Sequence, residues 1–170
     1  MRYWTVCAAT VLIAGLIAAP ASAQSDGNIA TVSFGVGLNT AAPPPGGEPN
    51  HHVLPQTIKI KKGGVVNFMV AGFHQIIAYK PGTGLNDIQV SGPPPFVNDL
   101  LNRYYTGIVP ANAGLGLPVT TNPSNAMNRV ESVAFLEPGT YLVICNINGH
   151  FMDGMYAWVQ VSNGNAGGND

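Results

Sequence analysis

The chain has 170 residues, of which 9% are charged, with seven Lys or Arg against eight Asp or Glu and four His. It carries no basic stripe of the kind a phosphate backbone demands, which argues against nucleic acid as a partner. The length supports one domain of ordinary size.

Residues 1–23 read as an export signal. Arg2 gives the charged start, 5–19 is uncharged and apolar, and Ala21-Ser22-Ala23 is a small-x-small cleavage site. The apolar stretch is shorter than the roughly 20 residues a membrane span needs, and nothing downstream is long and apolar enough to be one. Cleavage after Ala23 leaves 170 − 23 = 147 residues, with six Lys or Arg against eight Asp or Glu and a net charge of −2. The expected location is periplasmic or secreted. Cys7 departs with the signal, so the mature chain keeps Cys145 alone and has no internal disulfide. The thiol is then free, bridged to another molecule or bound to a metal.

The mature sequence predicts an all-β domain over 24–161. Over 30–38, Ala30, Val32, Phe34, Val36 and Leu38 alternate with small and polar residues, a strand with one buried face. A loop rich in Pro and Gly covers 41–49. His51-His52 reads as a solvated approach to a strand. Adjacent strand residues point to opposite faces and do not readily chelate one ion, so a second metal site there is the lesser alternative. Ile58 and Ile60 alternate with Lys59 and Lys61, Gly63-Gly64 turns the chain, and Val66, Phe68 and Val70 follow, the signature of a hairpin. Residues 74–79 are apolar and β-prone and end at Pro81-Gly82.

The stretch 83–129 is rich in Gly, Pro and Asn and reads as an insertion packed on one face of a sandwich. Val97, Leu100, Leu101 and Tyr104, at i, i+3, i+4 and i+7, predict a helix over 97–105 inside it. Val133 and Phe135 then precede a Pro138-Gly139 turn, 141–144 forms a strand running into Cys145, and 156–161 is the last strand. Residues 162–170 form a polar, flexible tail.

The most informative feature is Cys145-Asn146-Ile147-Asn148-Gly149-His150-Phe151-Met152-Asp153-Gly154-Met155. A thiolate, an imidazole and a thioether recur at five-residue intervals on one loop after a strand. With one more histidine, for which His74 is the candidate, they make the His₂Cys set with a weak axial Met that holds copper for electron transfer. Gly149 and Gly154 precede two of these residues, where a chain folding around an ion needs unusual dihedrals or close backbone approach. Taken singly, Cys145 is an inert buried thiol, His74 a core histidine and Met155 a core side chain. Their joint spacing favours the metal.

These residues bring the chain close to a known family. It resembles the cupredoxins, small type-1 (blue) copper proteins with a Greek-key β-sandwich. The likeness runs through Thr57-Ile58-Lys59-Ile60, Gly64, Val66, Phe68 and His74, then Phe135, Pro138-Gly139, Tyr141, Cys145, Gly149-His150, Gly154-Met155 and Val161. The Cys–His and His–Met intervals are similar to those of rusticyanin and auracyanin. The resemblance implies one copper ion held by His74, Cys145, His150 and Met155, with His74 buried and His150 near the surface. Phe151 and Met152 would then form an apolar docking patch, with Asp153 at its rim. Gln75 stands where members commonly carry Asn, Ser or Asp. The function implied is one-electron carriage between redox proteins, such as a c-type cytochrome or a copper enzyme, by a monomer without enzymatic activity. The alternative is a copper-binding protein for sequestration or delivery without redox turnover.

Overall fold

Alternation of apolar and polar side chains determines where this chain is extended and which way it faces. The computed structural model describes residues 22–24, 28–35, 51–90, 96–109 and 128–164. Residues 1–21 of the expected export signal 1–23, the loop at 41–49 and the tail beyond 164 lie outside the described residues, while Ser22 and Ala23 of that expected signal are described as strand. Strands β1 (Ser22–Gln24), β4 (Thr57–Lys61), β6 (Ile76–Tyr79), β7 (Arg103–Thr106), β9 (Gly139–Cys145) and β10 (Tyr156–Ser162) form one sheet, in the order β1-β4-β10-β9-β6-β7. The second sheet has the order β3-β2-β5-β8, from β2 (Ile29–Gly35), β3 (Val53–Leu54), β5 (Gly64–Ala71) and β8 (Asn128–Phe135). A short helix, α1 (Asn148–Met152), sits between β9 and β10.

Inward residues of both sheets make the core: Val32 and Phe34, Ile58 and Ile60, Val66 and Phe68, Val133 and Phe135, and Tyr141, Val143 and Val159. Full burial of a side chain of this size contributes about 1.5–3 kcal/mol relative to exposure. β9 departs from alternation, with every residue from Tyr141 to Cys145 buried. Its outer face, with Leu142 and Ile144, is covered by Val97, Leu85, Ile88 and Phe151. A strand buried on both faces reads as a continuous apolar run.

The chain crosses between the sheets rather than folding back within one. β6 and β7 pair as neighbours. β8 lies beside β7 across the sheet edge, where Tyr104 Oη donates to the Ala134 carbonyl (2.7 Å). β8 itself returns to pair antiparallel with β5. The all-β sandwich expected from the sequence is therefore what forms.

Two local expectations are corrected. β4 and β5 are not a hairpin: they lie in different sheets, and the Gly63-Gly64 turn, with Gly63 at φ +79°, carries the chain across the core. Both arrangements bury Ile58, Ile60, Val66 and Phe68, so alternation alone does not separate them. The helix expected over 97–105 is also absent. Residues 103–106 are β7, and the helical turn of this stretch is a 3₁₀ turn at Leu85–Asp87. Asn98 and Asn102 adopt φ of 55° and 54°, a left-handed conformation that interrupts a right-handed helix. The Asp99 carboxylate meanwhile accepts from the N–H groups of Leu101 and Gln89, both at 2.8 Å.

Candidate metal centre

The pairing of β6 with β9 sets the site. Ile76 lies opposite Cys145, so His74, two residues earlier, emerges at the same end of the sheet as the cysteine. The Asn146 N–H donates to the Gln75 carbonyl at 2.8 Å and closes that end. From Cys145 the chain makes α1 and returns. The Cys145 N–H donates to the Met155 carbonyl and the Met155 N–H to the His150 carbonyl, both at 3.0 Å. Gly154, at φ +94°, makes the reversal that a side chain would strain. Gly149 sits in α1 without a positive φ, so of the two loop glycines only Gly154 has a conformational reason.

Three of the four expected donors converge. His74 Nδ1 and His150 Nδ1 are 3.0 Å apart, and Cys145 Sγ is 3.7 Å from each. A point about 2.0 Å from all three atoms lies inside that triangle, close to nitrogen–metal and sulfur–metal bonds of about 2.0 and 2.3 Å. The group is positioned to bind a metal ion. Met155, the fourth residue, is fully buried in the same apolar cluster as Cys145.

His74 is 3% exposed, while His150 is half-buried. Burial holds the His74 imidazole down at about 3, with the neighbouring His150 and His51 rings and the Arg129 charge acting the same way. Burial and then His51 lower His150 to about 4, against the pull of Asp153. Both rings are thus neutral at neutral pH, with lone pairs ready for an ion. The Cys145 thiol is pushed up to about 12 by burial, so it keeps its proton until a metal displaces it.

Surrounding groups fix these side chains. Phe34 lies edge-on to the His74 ring, 6.0 Å between centroids and 78° between planes. Gly35 (φ +100°) is required behind the ring, because a Cβ there would come within 2.9 Å of His74 Nε2. Gln75 ties the ligand segments together through its side chain. It accepts from Asn146 Nδ2 at 2.7 Å and donates to the Gly107 carbonyl at 3.0 Å.

One residue of the site was missed by sequence reasoning. His51, expected in solvent, stacks on His150 at 3.7 Å between centroids and 22° between planes, and stands edge-on to His74 at 6.2 Å. Its Nδ1 meets Asp153 Oδ2 at 2.5 Å, while His52 is exposed. The Gly35 N–H donates to the His52 carbonyl, and Gly35 pairs with Ala71 just before the His74 turn, so strand packing delivers His51 to the site. No spacing signal marks that contact. Asp153 is therefore engaged rather than free at a rim. Of the expected patch, Met152 is 71% exposed, whereas Phe151 packs on the outer face of the sheet.

No family model and no curated protein matches the chain. Among solved structures it is similar to a reduced auracyanin from Roseiflexus castenholzii (17% identity, 79% of this chain and 97% of that one, TM-score 0.47). It is likewise similar to a reduced rusticyanin (18%, 83% of each chain, TM-score 0.40). A copper-containing nitrite reductase from Thermus scotoductus also matches (17%, 78% of this chain and 22% of that one, TM-score 0.36). What this chain can hold follows from its own strand order and donors rather than from these likenesses. The two-sheet sandwich carries its donor triangle beyond the paired ends of β6 and β9.

Proposed function

We propose that the protein is a type-1 copper protein that carries one electron at a time between redox partners outside the cytoplasm. The observation that supports this best is the triangle of two Nδ1 atoms and one Sγ. His74, Cys145 and His150 would hold the ion, and Met155 would add a weaker thioether donor. One thiolate, two imidazoles and a thioether suit copper, whereas structural zinc sites take four Cys or His donors. When bound, copper supplies a one-electron couple between Cu(I) and Cu(II).

The chain's own residues do the rest. The β6–β9 pairing and the closed loop hold the donors in place, so little has to move when the electron does. The apolar walls exclude water from the thiolate. The half-buried His150, under His51, is the side from which a partner approaches, and exposed Met152 offers it an apolar contact. An enzymatic copper centre with three further histidines is not proposed, because the sequence contains four in all. The export signal at 1–23 and a periplasmic or secreted location belong to the same proposal.

Addition of Cu(II) to the mature metal-free protein should give one bound ion and an intense visible thiolate-to-copper band. Cys145→Ser should abolish that band, and Met155→Gln should retain copper at a lower reduction potential, because a harder donor favours Cu(II). An unchanged spectrum in Cys145→Ser would end the type-1 reading. A protein that binds copper but does not cycle reversibly would be a sequestering or delivery protein instead.

A further inference from the structure

The inward row of β8 is Arg129, Glu131, Val133 and Phe135, so two charges stand where the strand otherwise buries apolar groups. Their side chains are 7% and 2% exposed, and they pair at 2.5 Å. Taking such a pair out of water is expensive, and apolar residues of similar volume often serve stability as well or better. Stability alone is thus a weak reason for it.

The pair is oriented. One Arg129 Nη donates to the His74 carbonyl at 2.9 Å and to the Ile108 carbonyl at 3.0 Å, while Nε donates to Glu131 Oε1 at 2.6 Å. Glu131 turns its other oxygen away, towards Tyr105 Oη (2.8 Å) and the Ile108 N–H (3.3 Å). The cationic end therefore grips the backbone of the buried histidine, and the anionic end faces β7.

We infer that Arg129 and Glu131 are positioning residues of the metal centre: the guanidinium holds the His74 turn from behind, and the oriented pair biases the bound ion towards its reduced state. The inference rests on the copper reading of the site. With one thiolate and neutral imidazoles, the site is uncharged with Cu(I) and carries one positive charge with Cu(II). A fixed cation close by opposes the second state, and weak screening in the interior lets the opposition persist.

The test is the reduction potential of the copper-loaded mature protein, with its visible spectrum recorded alongside. Glu131→Gln leaves the cation uncompensated and should raise the potential. Arg129→Met leaves the carboxylate and should lower it. Arg129→Lys keeps the charge and should stay near the unsubstituted value. Competition between Cu(I)- and Cu(II)-specific chelators should move in step, with Glu131→Gln favouring Cu(I). If Arg129→Met does not fold, a raised potential in Glu131→Gln beside an unmoved one in Arg129→Lys is the result required. Shifts of the same sign, or none, in variants that keep the visible band would overturn the inference and leave the pair as scaffold. A protein with no visible band before any substitution would overturn the copper reading as well.

Discussion

His150 meets His51 ring to ring, and Asp153 holds the second ring through Nδ1. A stacked aromatic pair contributes about 0.5–1.5 kcal/mol, and a hydrogen bond about 0.5–1.5 kcal/mol. Together they steady a side chain that its own loop only half encloses. His51→Ala should keep the visible band but release copper to a chelator faster, by up to about tenfold for the loss of roughly 1.4 kcal/mol. His51→Phe, with the stack but not the hydrogen bond to Asp153, should fall between. Equal release rates in all three proteins would mean that the stack is incidental. Cys145 and His150 were legible together because one short loop carries them both, and chemistry limits what a thiol and an imidazole at that spacing do together. His51 was not legible, because its partners stand about a hundred positions away and only the packing of β2, β3 and β5 joins them.

At the scale of elements, periodicity told which face of each strand is buried but not which sheet the strand joins. That is why β4 and β5 read as a hairpin and are found on opposite sides of the core. The helical spacing over 97–105 misled for a different reason. Leu100 and Leu101, two of its four apolar positions, are exposed, while Val97 serves the outer cluster and Tyr104 packs against the inner core. The left-handed turn at Asn102, whose carbonyl accepts from the Lys80 N–H at 2.8 Å, starts β7 instead. Asn102→Ala should lower stability by about 1 kcal/mol, because a Cβ without a local polar partner is disfavoured there. Asn102→Gly should change it by less than about 0.5 kcal/mol. Denaturant midpoints of the two variants separate these outcomes, and identical midpoints would remove Asn102 as the reason for the strand.

For the whole molecule, the metal-free site sets a dependence on pH. His74 and His150 are held at about 3 and about 4, both below the ordinary 6.5. Between those values and 6.5 the unfolded chain binds protons that the folded chain refuses, so stability rises with pH. The contribution is complete above 6.5 and is lost as pH falls towards 4 and then 3. Denaturant unfolding of the metal-free protein should therefore show lower stability at pH 4.5 than at pH 7.5. Equal stability at the two values would mean that these imidazoles are not buried in neutral form. In the loaded protein, protons compete with the ion for the same nitrogens, and acid should release copper before it unfolds the chain.

The complete burial of Cys145 has a consequence for the protein before it meets its ion. Oxidation of a thiol, whether to a sulfenic acid or to a mixed disulfide, follows thiolate character and access. A thiol held at about 12 and sealed under apolar side chains offers neither. The metal-free protein should thus keep its sulfur reduced in an oxidising medium without help from a reductant. The wall that shuts water out of the filled site also gives the vacant one its shelf life.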